Sequence, residues 1–262
     1  MSEETVKLAL VGESGSGKTH QAGYLIEGFG ADNVGLISCE RGLGTIKSLL
    51  TPENVFVAET YEDLRKAHVW AKERYDRPDA HVFIDGASRV MQWLSNREHS
   101  GADRVLEALV LGREPKEADK PFLRYITKDA KIDTVKIWIR GGRDAEIFWD
   151  AWIKAQWNLY ATFWTILTPS GQFEKKLPWT VDAPGDGMRN AVISSFDYIF
   201  HLERVKGEGF RAHTAPDSGK YRCKRRLDPR LGLDIPDEIE DFNLAEFYRT
   251  LKPTITQETN RT

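Results

Sequence analysis

Short apolar runs alternate with amphipathic stretches along most of the chain. The runs are bounded by turn-forming residues and are rich in branched and aromatic side chains, which predicts buried β-strands. Between them, apolar residues recur every three or four positions, which predicts helices packed against a sheet. This alternation is typical of an α/β fold with a mostly parallel sheet flanked by helices. The predicted strands are 6–11, 34–39, 54–58, 81–84 and 162–167, and the predicted helices are 18–29, 61–75, one through Val90, Met91 and Leu94, and one near 146–159.

The rhythm changes in two segments. Residues 97–144 are polar and have no clear period, so we interpret them as an insertion with some helix. Residues 169–191 are rich in Pro and Gly, which predicts a long loop. We divide the chain into a core at 1–230, which carries the insertion, and an acidic C-terminal segment at 231–262 with a short helix. Three late runs predict antiparallel strands added at one edge of the sheet. They are 196–205, 209–214 and 220–226.

Composition narrows the possible classes of protein. The 262 residues are 40% hydrophobic and 29% charged, with a net charge of −3, so any nucleic-acid binding must come from a local basic patch. Cys39 and Cys223 lie too far apart to indicate a disulfide framework or a metal site. The two unpaired cysteines and the absence of a leader pattern at the N-terminus favour a cytoplasmic location. If the protein is phage-encoded, this is the cytoplasm of the host. No apolar run approaches the ~18 residues of a membrane span, so we expect no membrane association.

The first predicted strand is followed by the motif GESGSGKT, and a predicted helix begins within it. Its glycines permit a loop that aims several backbone N–H groups at a phosphate, beside a helix N-terminus. Lys18 can reach the β- and γ-phosphates, and Thr19 offers a hydroxyl to Mg²⁺. The alternative is a chance glycine turn, but motif and context coincide. The sequence therefore predicts an ATP and Mg²⁺ site formed by Gly12, Glu13, Ser14, Gly15, Ser16, Gly17, Lys18, Thr19 and His20.

Two carboxylates follow predicted strands. Asp85 ends HVFID, where a P-loop enzyme places the carboxylate that holds the water shell of Mg²⁺. The alternative is a cap on the helix that follows. Glu40 ends the second strand, where it can orient the attacking water as a catalytic residue. Glu40 can equally be a solvated loop charge paired with Arg41.

A late basic run offers cations for the same reaction. Lys224 and Arg226 lie two positions apart in a predicted strand and share one face with Arg222. Cations placed in this way can reach a γ-phosphate in their own or a neighbouring subunit, as an arginine finger does. The alternative is an exposed basic edge strand, which protects against aggregation.

These motifs together resemble those of the RecA-like P-loop ATPases, in particular the short phage-type group related to recombinase paralogues and single-strand annealing proteins. The resemblance covers residues 5–95 and 146–230 and is carried by GESGSGKT, LISCERGL, HVFIDGASRV and the late stretch from FDYIFHLERV to KYRCKRR. It implies a RecA-like fold, a catalytic Glu40, and Lys224 and Arg226 acting on the γ-phosphate. It also implies DNA recombination or annealing on single-stranded DNA by a homo-oligomeric ring or filament, with a single-strand DNA-binding protein as a further partner. RecA-like proteins carry a polar sensor residue after the strand that corresponds to 162–167. The candidates in this chain are Thr168, Ser170 and Gln172.

The loop predicted at 169–191 lies where RecA-like proteins contact DNA. Its cations can follow phosphates and its aromatic ring can stack on a base, although the ring can also pack on the core. These residues are Lys175, Lys176, Trp179 and Arg189. We interpret the other tryptophans, such as Trp149, Trp152 and Trp164, as core.

Two other functions fit the same motifs. A nucleotide or small-metabolite kinase uses the same loop and adds an arginine-bearing lid, for which Arg113 and Arg124 in the insertion are candidates. An NTP-gated assembly or packaging ATPase would use the loop without a role in recombination.

Overall fold

The computed structural model describes residues 5–40, 42–167, 179–207, 209–216, 221–225 and 235–259. Its strands are β1 (Lys7–Val11), β2 (Val34–Ser38), β3 (Val55–Val57), β4 (His81–Asp85), β5 (Asn158–Phe163), β6 (Thr165–Leu167), β7 (Trp179–Val181), β8 (Tyr198–Val205), β9 (Gly209–His213) and β10 (Glu238–Ile239). The helices are α1 (Lys18–Phe29), α2 (Tyr61–Tyr75), α3 (Ala87–Val110), α4 (Thr134–Ile153), α5 (Gly185–Ser195) and α6 (Leu244–Thr259). Short 3₁₀ helices span Ala31–Asn33, Leu43–Leu49 and Glu117–Tyr125.

An eight-stranded sheet organises the described residues in the order β10-β9-β8-β1-β5-β4-β2-β3. The six strands from β8 to β3 are parallel, and β9 and β10 are antiparallel at one edge. The predicted α/β fold with a mostly parallel sheet, flanking helices and antiparallel edge strands is confirmed. Two details are wrong. Strand β8 pairs in parallel with β1, because α5 carries the chain back across the sheet before β8 begins. The described part of the predicted strand 220–226 is not a strand, and Lys224 forms only an isolated antiparallel bridge with Ile199 of β8.

Side-chain alternation explains why the central strands are buried on both faces. In β1, Leu8 and Leu10 pack in a cluster with α1 and α6, whereas Ala9 and Val11 pack in a second cluster with α2, α3, α4 and α5. Successive side chains of a strand point to opposite faces, so one apolar run supplies both layers. The strands read as continuous hydrophobic runs for this reason.

The segment 97–144 has more regular structure than its polar sequence indicates. Helix α3 continues to Val110 and α4 begins at Thr134, so two long helices and a 3₁₀ helix fill most of the predicted insertion. Glu98 of α3 is buried there, and the Tyr125 hydroxyl donates a hydrogen bond to its carboxylate at 2.5 Å. A small apolar cluster of its own joins these three helices. The segment is therefore a packed helical lobe.

Two other boundaries differ from the prediction. The core strand β5 begins at Asn158 and ends at Phe163, and the chain then enters a separate hairpin of β6 and β7. The predicted loop 169–191 is wrong from residue 179 onward, because β7 and α5 occupy this part; residues 168–178 lie outside the described residues. Trp149 and Trp152 are core residues as predicted, whereas Trp164 is 40% exposed between β5 and β6.

The described part of the C-terminal segment packs against the core. The Gln21 side chain of α1 donates to the Phe242 carbonyl at 3.1 Å and accepts from the Leu244 N–H at 2.9 Å. Helix α6 thereby joins α1 on one face of the sheet, and its apolar residues complete that cluster.

Candidate functional site

The loop between β1 and α1 has the backbone conformation that its glycines permit. Gly15 and Gly17 have φ of +80° and +91°, in the left-handed region that side chains disfavour. A Cβ on Gly12 would lie 2.5 Å from the Leu202 carbonyl oxygen. Gly17 caps α1 without a side-chain hydrogen bond, so the first N–H groups of the helix are left for an anion.

Lys18 folds back over this loop. Its Nζ donates to the carbonyl oxygens of Gly12 at 2.6 Å and Glu13 at 2.7 Å. Burial lowers the pKa of Lys18 to about 8, and the nearby charges of Asp85 and Glu40 act in the opposite direction. A longer hydrogen bond, at 3.4 Å, joins Nζ to the Ser16 hydroxyl. The ammonium group is therefore held by loop oxygens that a phosphate can replace.

Two threonines hold Asp85. The Thr19 hydroxyl donates to Asp85 Oδ2 and the Thr162 hydroxyl donates to Oδ1, both at 2.8 Å. Burial raises the pKa of Asp85, while these two hydrogen bonds and the Lys18 charge lower it. The two residues predicted to act on Mg²⁺ thus lie in direct contact, although 66 positions separate them in the sequence.

Thr162 is a site residue that the sequence did not single out. It lies in β5, and its hydroxyl oxygen also accepts the Gly86 N–H at 2.8 Å, so it fixes both Asp85 and the turn after β4. Residues 168, 170 and 172, predicted for a polar role after this strand, lie outside the described residues. The feature that could have identified Thr162 is a polar side chain within a strand whose six positions are all buried, because buried polar groups need partners.

Glu40 lies beside Asp85 at the same edge of the sheet. A Cβ on Gly86 would be 2.4 Å from Glu40 Cγ, so the glycine makes room for this side chain. Glu40 Oε1 is buried and has no hydrogen-bond partner among the described residues. Burial raises the pKa of Glu40 and the Asp85 charge raises it further, while the Lys18 charge, a hydrogen bond from Trp164 to the carboxylate and the Arg89 charge lower it. A buried, partnerless carboxylate oxygen is poised to accept a hydrogen bond from a small polar molecule.

Two clefts adjoin these residues. One, of about 580 Å³, opens at the loop, and the other, of about 400 Å³, opens beside Glu40. The first is lined by Glu13, Ser14, Gly15, Ser16, Thr165, His201, Leu202, Glu203, Arg204 and Tyr221. The second is lined by Ser38, Cys39, Glu40, Val57, Ala58, Glu59, Arg89 and Trp93.

Other predicted site residues are not brought to the loop. Lys224 Nζ donates to the carbonyls of Ile193 at 3.0 Å and Ser194 at 3.4 Å, at the C-terminal end of α5. Cations at the last carbonyls of a helix stabilise it, which gives Lys224 a structural role within its own chain. Arg226 lies outside the described residues.

The four residues expected to contact DNA are also dispersed or undescribed. Lys175 and Lys176 lie outside the described residues, and Trp179 begins β7. The expectation that Arg189 lies in a surface loop is wrong, because it is a buried residue of α5. Its guanidinium donates to the Val181 carbonyl at 3.3 Å and to Asp186 at 2.5 Å.

The predicted lid does not cover the loop either. Arg124 binds Glu98 at 3.5 Å, half-way along α3, and Arg113 follows the end of that helix. A helix of 24 residues is about 36 Å long, and α3 begins next to Asp85 and leads away from it. Arg113 is thus remote from the loop, and a lid built on these two arginines is wrong for this conformation.

A divalent cation would find few protein ligands here. Within the described residues, no group of three His, Cys, Asp or Glu side chains could hold a metal ion. Thr19 and Asp85 do fit Mg²⁺, which takes one or two protein oxygens and completes its shell with water and phosphate oxygens.

Comparison with known proteins adds no further information on this site. No protein-family model matches the chain, and no curated protein matches it.

Among the described residues, no helix has the length and apolarity that crossing a bilayer demands.

Proposed function

We propose that this chain is a P-loop nucleoside triphosphatase with a RecA-like fold, which binds and hydrolyses ATP with Mg²⁺ at residues 12–19. The observation that carries the proposal is the 2.8 Å hydrogen bond from the Thr19 hydroxyl to Asp85. Thr19 directly follows a left-handed glycine turn and the buried Lys18. A glycine turn that arose by chance would not be expected to bring a hydroxyl, a lysine and a buried carboxylate together.

Each group has a part in phosphoryl transfer to water. The loop N–H groups and Lys18 bind the β- and γ-phosphate oxygens, so the Lys18 ammonium exchanges its two carbonyl partners for phosphate. Thr19 and, through water, Asp85 would hold Mg²⁺, which neutralises the charge that develops on these oxygens. Glu40 would accept a hydrogen bond from the attacking water and orient it in line with the γ-phosphate.

The order of strands in the sheet supports the roles proposed for Asp85 and Glu40. Strands β4 and β2 end at the same edge as β1, with β5 between β1 and β4. Asp85 and Glu40 therefore lie on one side of the loop, where the γ-phosphate end of the nucleotide would be. Ligands of parallel α/β sheets bind at this edge, outside the carboxyl ends of the strands.

The cellular role that we propose is DNA recombination or single-strand annealing, with the chain assembled as a ring or filament on single-stranded DNA. Its support is the resemblance of the motifs to RecA-like proteins. Lys224 is partly exposed, and within its own chain its ammonium binds the C-terminal end of α5.

The test is ATP hydrolysis measured with and without single-stranded DNA, together with DNA binding in low salt. We expect the DNA to increase the rate. A rate indifferent to DNA, combined with no DNA binding, would refute the recombination role and leave the ATPase proposal standing.

A kinase remains the second candidate because of the cleft of about 400 Å³ beside Glu40. A small hydroxyl compound in this cleft would place its hydroxyl beside the carboxylate that we assign to water. Incubation with ATP and a panel of nucleoside monophosphates and small metabolites distinguishes the two, since a phosphorylated product favours the kinase and free phosphate alone favours the ATPase.

A further inference from the structure

The proposed function fixes the direction of a bound nucleotide, and the following inference rests on it. Asp85 and Glu40 mark the γ-phosphate end, on the side of β1 where β5, β4 and β2 lie. The nucleoside end must then leave the loop on the other side, toward β8 and β9.

Aromatic side chains stand on that side. Phe210 of β9 packs directly on the turn, since a Cβ on Gly17 would lie 2.3 Å from its ring carbons. The His20 ring is 5.3 Å from Phe210, and the Tyr24 ring contacts His20 edge-on at 4.8 Å. All three rings are half-buried, so each keeps part of its surface open.

The cleft at the loop borders the same strand pair. Arg204 lines this cleft and lies directly opposite Phe210 in the pairing of β8 with β9. Directly opposed residues project from the same face of the sheet. Arg204 therefore connects the lining of the cleft with Phe210, which lies beside it on β9 and outside the cleft itself.

The charges around Tyr24 favour a neutral group over a second phosphate at that end of the rings, while Arg204 is the cation beside Phe210. Burial raises the pKa of Tyr24, and the carboxylates of Glu27, Asp241 and Glu246 raise it further. These acidic neighbours repel phosphate, whereas a nucleobase is uncharged at neutral pH. Aromatic rings bind bases by stacking, which every base permits because every base has a π-face.

We infer that Phe210 and His20 form the stacking surface for the nucleobase, and that stacking, not hydrogen bonding to the base edge, selects the nucleotide. Purines stack over a larger area than pyrimidines. The chain should accordingly bind ATP and GTP within about threefold of each other, and CTP and UTP about tenfold more weakly.

The first test compares ATP with inorganic tripolyphosphate, which has the phosphates and no base. Phe210→Leu should weaken ATP binding about tenfold and leave tripolyphosphate binding unchanged, while Phe210→Tyr keeps both. Trp70→Leu, a half-buried aromatic of α2 remote from the loop, is the matched control and should change neither. Equal weakening of both ligands by Phe210→Leu would overturn the inference, because the ring would then merely support the loop.

A second variant guards against misfolding of the first. His20→Ala removes a half-buried ring from the first turn of α1 and should also weaken ATP selectively. A preference for ATP over GTP greater than about 100-fold would contradict the inference, because discrimination on that scale requires hydrogen bonds to the base edge. If the parent protein binds neither ATP nor tripolyphosphate, the proposed function itself has failed.

Discussion

At the scale of single residues, the site consists of buried polar groups that satisfy one another without a ligand. Lys18 uses two loop carbonyls, and Asp85 uses two threonine hydroxyls. Unpaired buried polar groups are costly, so these contacts keep the site in shape before a nucleotide arrives. Among the described residues, Glu40 Oε1 is the exception, and this oxygen is where we place the attacking water. The sequence predicted Lys18 and Thr19 from the fixed spacing of GESGSGKT, and Asp85 from its place at the end of an apolar strand.

Thr162 offers a test at this scale. Thr162→Val keeps the shape of the side chain but leaves Asp85 Oδ1 without its donor and the Gly86 N–H without its acceptor. We expect about 1–3 kcal/mol less free energy of unfolding and about a tenfold higher Mg²⁺ concentration for half-maximal hydrolysis. Urea unfolding and a Mg²⁺ titration measure the two effects. Thr250→Val, at an exposed position of α6, is the control, and equal behaviour of both variants would remove Thr162 from the site.

Lys7 provides a pH test away from the loop. It is buried at the start of β1, where Nζ donates to the carbonyls of Ala155 and Trp157, and burial lowers its pKa to about 8. Between that pKa and the unfolded value of 10.5, the unfolded chain binds the extra proton, so stability rises with pH by at most about 1.4 kcal/mol per pH unit.

The comparison that isolates this group is parent protein against Lys7→Met. The free energy of unfolding of the parent should rise relative to that of the variant between pH 8 and pH 10. A difference that stays constant across this range would show that Lys7 titrates normally in the folded protein.

At the scale of elements, the sequence predicted most of the strands and missed much of the helical lobe. Strands such as β1 and β4 are buried on both faces, so their apolar runs were unambiguous. The helices of the lobe have wide exposed faces, and α4 even exposes Trp138 and Ile139, which obscured their period. The parallel direction of β8 depends on α5, which the Pro- and Gly-rich composition of its surroundings concealed.

Helices α4 and α5 cross at glycines, which gives a prediction for this scale. A Cβ on Gly142 of α4 would lie 3.0 Å from the Gly187 backbone of α5, and backbone cannot move aside as a side chain can. Gly142→Val should therefore lower the free energy of unfolding by about 1–3 kcal/mol. Gly44→Val is the control, because a Cβ at Gly44 meets open space. Thermal unfolding of the two variants compares them, and an equally stable Gly142→Val would contradict the packing described.

At the scale of the whole molecule, the described chemistry collects at one edge of the sheet. The loop, Asp85 and Glu40 lie at the carboxyl ends of β1, β4 and β2, and the helical lobe extends away along α3. This separation of a nucleotide edge from a helical lobe is why the lobe arginines do not form a lid. No local sequence pattern could have predicted it, because it depends on the direction and length of one helix.

The central claim is that the glycine loop binds and hydrolyses ATP, and Mg²⁺-dependent ATP hydrolysis tests it most directly. The parent protein should release phosphate, Lys18→Ala should lose at least about 100-fold in rate, and Glu40→Gln should bind ATP normally but hydrolyse it slowly. Lys18→Ala hydrolysing ATP at the parent rate would contradict the account.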